Sequence, residues 1–259
     1  MPRVTTHSTT KSGISLDISG EGEALVVLIH GTLDRSAGMA RIAREIPDHV
    51  RVLRYDRRGY ARSHSLNGPF TVQQHIADLI EIVGTQPVIL IGHSFGGNVA
   101  LGAAQQLGSQ VLGVSTYETP LSWMPWWSGH SAGSHAVASG IDTAAEEFMI
   151  RLIGSKRWEA LPERTKSERR AEGPTLVGEL SSLRRGAPWN PAEILCPVLV
   201  GVGTRASDHH RKGAEWISEH IDNASLTVFE GVGHGAPVSH GAMFYGLLVS
   251  PHLQRCDLI

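Results

Sequence analysis

The sequence predicts an α/β fold, a mostly parallel eight-stranded sheet flanked by helices. Three observations point there. Short runs of β-branched and apolar residues recur along the chain, each ending in small or polar residues, as strands buried on both faces require. Segments of helical character separate several of these runs, and that alternation favours parallel pairing through crossover helices. The chain has 259 residues, 41% of them hydrophobic and 19% charged, so it can bury a sizeable core and lacks the composition of disorder.

The elements follow in order. The first twenty residues, with Ser15–Ser19 before Gly20, read as a small hairpin at one edge. Leu25–Ile29 is the next strand, followed by a helical segment over Ser36–Ile46. Val50–Tyr55 and Val88–Ile91 are strands on either side of a helix at Thr71–Val83. A helix over Phe95–Leu107 leads to the strand Val111–Thr116. After residue 190 the rhythm returns with Val198–Val202, a helix at His209–Ile221 and the strand Leu226–Phe229.

The alternation breaks between Pro120 and Asn190, with helix-like patches at Ala144–Ile153 and Thr175–Leu183. Five of the six tryptophans fall there: Trp123, Trp126, Trp127, Trp158 and Trp189. The reading is a core formed by residues 1–119 and 191–259, with 120–190 a helical cap over the C-terminal edge of the sheet. These tryptophans and Leu33 are the expected pocket residues. The competing reading is that the tryptophans fill the cap's own small core.

Composition excludes several functions. Lys plus Arg number 23 against 25 Asp plus Glu, a net charge of −2, which gives no field for holding a polyanion. Nucleic acid is therefore not the expected partner. Cys196 and Cys256 are the only cysteines, too few for a disulfide framework. Met1–Thr10 contains no apolar leader, and no run of 18 apolar residues occurs, so a cytoplasmic protein with no membrane partner is expected.

The chemistry is signalled at Gly92-His93-Ser94-Phe95-Gly96, between a buried strand and a helix. In that context G-x-S-x-G is a nucleophile elbow, a strained turn that lifts Ser94 Oγ out of the sheet above a helix N-terminus. Three further segments fit it: His30-Gly31-Thr32-Leu33 after one strand, Asp56–Ser63 after the next, and Gly231-Val232-Gly233-His234-Gly235 after the last. A lone histidine is more often structural. Beside this elbow, His234 is the expected general base.

With these motifs the chain resembles the α/β-hydrolases over nearly its whole length. The resemblance implies a Ser–His–acid triad working through an acyl-enzyme, with no cofactor and no metal. It also implies an oxyanion site at the His30-Gly31 loop, with the N–H groups of Thr32 and Phe95 as donors. The third member departs from the common pattern. Asp208 is the only acid in the loop after Val198–Val202, and it immediately precedes a helix, where it suits an N-cap. Glu118 ends the sixth strand, where a buried carboxylate is costly unless paired. An acid in that position resembles the zearalenone lactonases, as does Val238-Ser239-His240 after the base. Glu118 is the favoured acid and Asp208 the alternative.

His209-His210 could suggest a metal, but adjacent residues diverge on a helix and no third ligand is evident. Arg57-Arg58 and Arg184-Arg185 read as solvated surface. The expected function is hydrolysis of a carboxylic ester or lactone of a small apolar substrate, an aromatic one included, with a homodimer left open. The alternatives are C–C bond hydrolysis, cofactor-free perhydrolysis, or a ligand-binding receptor on the same scaffold.

Overall fold

The computed structural model describes residues 5–259. Eight strands form one sheet in the order β1-β2-β4-β3-β5-β6-β7-β8. The hairpin expected at the edge is β1 (Thr5–Thr9) with β2 (Ser15–Ser19), antiparallel to each other, and β2 is antiparallel to β4. All remaining pairs are parallel: β3 (Leu25–Ile29), β4 (Arg51–Tyr55), β5 (Val88–His93), β6 (Val111–Tyr117), β7 (Val198–Gly203) and β8 (Ala224–Phe229).

The strands run apolar on both faces because both are covered. Along β3, Leu25, Val27 and Ile29 enter one core while Val26 and Leu28 enter the other. That alternation is the strand's two-residue period, with a helical layer on each side. The first core receives α2 (Val72–Val83) and α3 (Phe95–Leu107), and the second receives α1 (Ala40–Glu45) and the C-terminal segments. Thr71 starts α2 through a capping box with Gln74: each side chain accepts the other residue's backbone N–H.

Between β6 and β7 the chain leaves the sheet and forms five helices: α4 (Ala132–Ser139), α5 (Ile141–Ile153), α6 (Ser155–Glu159), α7 (Glu163–Ala171) and α8 (Gly173–Arg185). The helix after β7 is α9 (Asp208–His220). The main shift from sequence expectation lies at strand ends. Strand β5 continues through His93 and β6 through Tyr117, because those two residues pair across the ladder. Ser94 and Glu118 are therefore the first residues beyond two adjacent strands. Among the described residues, no helix is long and apolar enough to cross a membrane.

Candidate active site

Ser94 adopts φ 53°, ψ −124°, in the left-handed region that costs a non-glycine residue roughly 1–3 kcal/mol. Its neighbours make the turn feasible. A Cβ on Gly92 would lie 2.4 Å from the Gly96 carbonyl oxygen, and one on Gly96 would lie 2.4 Å from that of Ile29. The Ser94 N–H donates to the Tyr117 carbonyl at 2.8 Å, tying the elbow to β6. A Cβ on Gly31 would stand 3.0 Å from Ser94 Cβ, so the loop after β3 reaches the serine because residue 31 has no side chain. Phe95 begins α3, so its N–H lacks an intrahelical acceptor. The Thr32 N–H donates to no acceptor among the described residues, and Thr32 lines the same cavity as Ser94.

Glu118 likewise has a positive φ, 46°, and its side chain is almost wholly buried. The two carboxylate oxygens have separate partners. Oε1 accepts the Gly203 N–H at 3.1 Å, and His234 Nδ1 donates to Oε2 at 2.8 Å. The His234 loop is anchored from two sides, with His93 Nε2 donating to the His234 carbonyl at 2.9 Å and Tyr117 OH to that of Gly233 at 3.1 Å. Asp208 stands apart. It is fully exposed and pairs with Arg211 at 3.5 Å, and Ser207 rather than Asp208 occupies the N-cap position of α9. The helix starts one residue earlier than expected, which turns Asp208 outward.

His210 does come to the site. Its ring stacks on that of His234 at 4.6 Å and 15°, and its Nδ1 lies 3.9 Å from Glu118 Oε2. Burial lowers the His210 imidazole well below its ordinary value, and the neighbouring His234, His209 and His93 lower it further. His93 is lowered for the same reasons, burial first and His234 second. His234 therefore sits between neutral rings with one carboxylate behind it. The two histidines do not diverge as expected: their rings lie 4.6 Å apart and both pack edge-on against Trp127. Only His210 of the pair joins a donor group among the described residues, with distant partners: one ligand atom each of Glu118, His210 and His234 lie within 4.8 Å of one another. A cation held there would compete with the His234–Glu118 hydrogen bond.

Ser94, Thr32 and His234 open onto a cavity of about 290 Å³ whose apolar wall includes Trp127, Phe148, Leu152 and Leu180. No hydrogen bond joins Ser94 Oγ to His234 among the described residues, and such contacts often tighten only with substrate. A larger cavity of about 890 Å³ lies elsewhere, lined by residues such as Asp17, Arg35, Asp56 and Arg62, and shares no lining residue with the first. Its charges largely pair with each other.

The profile of the alpha/beta hydrolase family matches residues 26–245. The chain belongs to this family. Among its relatives, lipase LipV of Mycobacterium tuberculosis is 32% identical over 96 residues, a match spanning 36% of each chain. The pimeloyl-[acyl-carrier protein] methyl ester esterase of Chromobacterium violaceum is 25% identical across 88% of this chain and 94% of its own. Among solved structures, the enol-lactonase of Burkholderia xenovorans LB400 superposes with a TM-score of 0.70 at 20% identity, covering 96% of this chain and 100% of the other. That likeness is one of fold.

In this alpha/beta hydrolase most of the expected pocket tryptophans lie elsewhere. Trp127 lines the cavity, whereas Trp123, Trp126, Trp158 and Trp189 do not, and neither does Leu33. Trp158 and Trp189 are buried, donating their indole N–H to Glu146 and Asn98 at 3.0 Å each, and Trp123 packs edge-on against Trp189. Trp126 lies under the Lys212 ammonium. Leu33 is buried in the core, with its carbonyl bonded to Arg169. Composition revealed an aromatic segment, but which rings meet the cavity depends on how its turns and helices pack.

The surface reading holds for Arg185, which is exposed, and is overturned for Arg57, Arg58 and Arg184. Arg57 is completely buried, paired with Glu179 of α8 at 2.6 Å. It also holds the loop after β3, donating from Nε to the His30 carbonyl and from Nη2 to the Gly31 carbonyl at 3.0 Å each. Glu179 also accepts from Thr32 Oγ1 at 2.6 Å and from Tyr60 OH at 2.8 Å. Arg58 pairs with Asp78, and Arg184 is half-buried against Leu180 and Ser134. Nothing local distinguishes Arg57 from a surface arginine, because its counter-charge is 122 residues away.

Proposed function

We propose that this hydrolase cleaves a carboxylic ester or lactone through an acyl-enzyme. The single observation that carries the reading is the 2.8 Å hydrogen bond from His234 Nδ1 to Glu118, at a cavity shared with the elbow serine. That bond fixes the His234 tautomer, leaving Nε2 free to accept a proton. In the proposed sequence, Ser94 Oγ attacks the carbonyl carbon while its proton passes to His234 Nε2. The oxyanion rests on the N–H groups of Thr32 and Phe95, in the loop after β3 and at the N-terminus of α3. Collapse expels the alcohol, which takes the proton from His234. Water then attacks the acyl-enzyme by the same route and restores Ser94. Glu118 stabilises the imidazolium in each step, its second oxygen already held by Gly203. The wall of Trp127, Phe148, Leu152 and Leu180 suits an apolar acyl or lactone ring.

The test is Ser94→Ala. The parent should turn over p-nitrophenyl esters repeatedly and be labelled by a fluorophosphonate, and the variant should do neither while keeping its circular dichroism spectrum. Labelling of both proteins would rule out Ser94 as the nucleophile. A single slow covalent event without turnover would favour a receptor.

A further inference from the structure

We propose that the Ser94 cavity contains an anion subsite, so that its preferred substrate is an ester or lactone bearing a carboxylate or phosphate remote from the scissile carbonyl. The inference deepens the hydrolytic reading above and rests on it. Three arginines from separate parts of the chain line the cavity: Arg151 on α5, Arg184 at the end of α8, and Arg205 in the loop after β7. No aspartate or glutamate is among the lining residues. None of the three arginines forms an ion pair among the described residues; Arg151 and Arg205 are exposed, and Arg184 is half-buried, whereas Arg35, Arg57, Arg58 and Arg169, withdrawn from water like Arg184, each pair with a carboxylate.

Arg184 is the most telling. Its guanidinium is held by two neutral acceptors, the Leu180 carbonyl at 2.9 Å and Ser134 Oγ at 3.1 Å. Burial lowers its pKa, and no nearby acid offsets that effect. A half-buried cation without a counter-ion is unfavourable, and an incoming anion relieves it. The space beside it is kept open by Gly133, where a Cβ would stand 3.3 Å from Arg184 Nη2. The backbone of Arg205 is held beside the cavity by its main-chain N–H, which donates to the Val232 carbonyl at 2.9 Å. Glu118 does not cancel this charge, since it lies behind His234 and is bonded to it. The guanidinium fork matches both carboxylate and phosphate, which is why both belong to the class. An apolar wall interrupted by arginines suits an amphipathic acyl chain.

The experiment compares three substrates of equal chain length: p-nitrophenyl octanoate, mono-p-nitrophenyl suberate, and the p-nitrophenyl ester of 8-phosphonooctanoic acid. In the parent at low salt, kcat/KM for at least one anionic ester should exceed that for octanoate by about tenfold or more. That ratio should fall about tenfold in Arg184→Gln and in Arg205→Gln, and Arg184→Lys should retain part of it. Arg205 is exposed, so its variant tests the idea even if Arg184→Gln does not fold. Whichever anionic ester leads identifies the group. A parent ratio at or below one, or a ratio untouched by all three variants, would overturn the subsite while octanoate turnover leaves the hydrolytic reading standing. If no ester is turned over at all, the hydrolytic reading itself fails.

Discussion

Glu179 and Arg57 meet at 2.6 Å with neither side chain exposed to water. The same carboxylate accepts the Thr32 hydroxyl, so one buried charge joins the helical segment between β6 and β7 to the loop that approaches Ser94. A buried pair of this kind is weak evidence for net stability, but removing one partner leaves the other charge stranded.

Glu179→Gln should therefore lower the unfolding free energy by about 3–5 kcal/mol in urea titrations, while the doubly apolar Arg57→Met/Glu179→Leu variant should lose less. The same carboxyl has a pH signature. Burial by itself would raise it, but Arg57 and then His75 hold it well below its ordinary value of 4.5. A depressed folded-state value stabilises above the unfolded value, and the gain is lost as pH falls through the folded one. Parent stability should decline as pH drops below about 4.5, and Glu179→Gln should flatten that acid limb. Equal slopes in both proteins would refute the assignment.

Glu118→Gln keeps the volume of the side chain and removes its charge from beneath His234. It should lower kcat by about a thousandfold, roughly 4 kcal/mol on the barrier. Asp208→Asn should stay close to the parent, since Asp208 is exposed and paired only with Arg211. Steady-state kinetics on one ester decides between them, and inactivation by Asp208→Asn alone would contradict the geometry.

Trp127 and Trp158 should separate pocket from packing. Trp127→Ala should reduce kcat/KM for long acyl esters about tenfold more than for acetate, because it removes part of the cavity wall. Trp158→Ala should leave that preference unchanged and cost about 3–5 kcal/mol of stability, as a buried ring leaves a void. Kinetics across acyl lengths, paired with urea melts, would read both, and a changed size preference in Trp158→Ala would count against this division.

The strands, the elbow and the need of Glu118 for a partner were legible in the sequence. Each rests on a local rule. Buried strands need uninterrupted apolar runs, and a strained turn between strand and helix needs Gly92 and Gly96 where a side chain would strike backbone. Glu118 stood out because an acid at the end of a buried strand demands a partner, and His234 was the expected one.

What the tertiary structure alone decided concerns partners far apart in the chain. Arg57 and Arg184 read locally as surface side chains, and only packing withdraws them from water, one beside Glu179 and the other without any acid. His210 gained its place on His234 from the packing of α9, and both histidines of the pair meet Trp127. Trp127 meets the cavity while Trp158 and Trp189 do not, although all three share the same aromatic-rich segment. Local sequence determines where a backbone can turn and which faces must be apolar. Which charge or ring lies opposite another is set by how helices and loops distant in sequence pack over the sheet, and no local pattern encodes that.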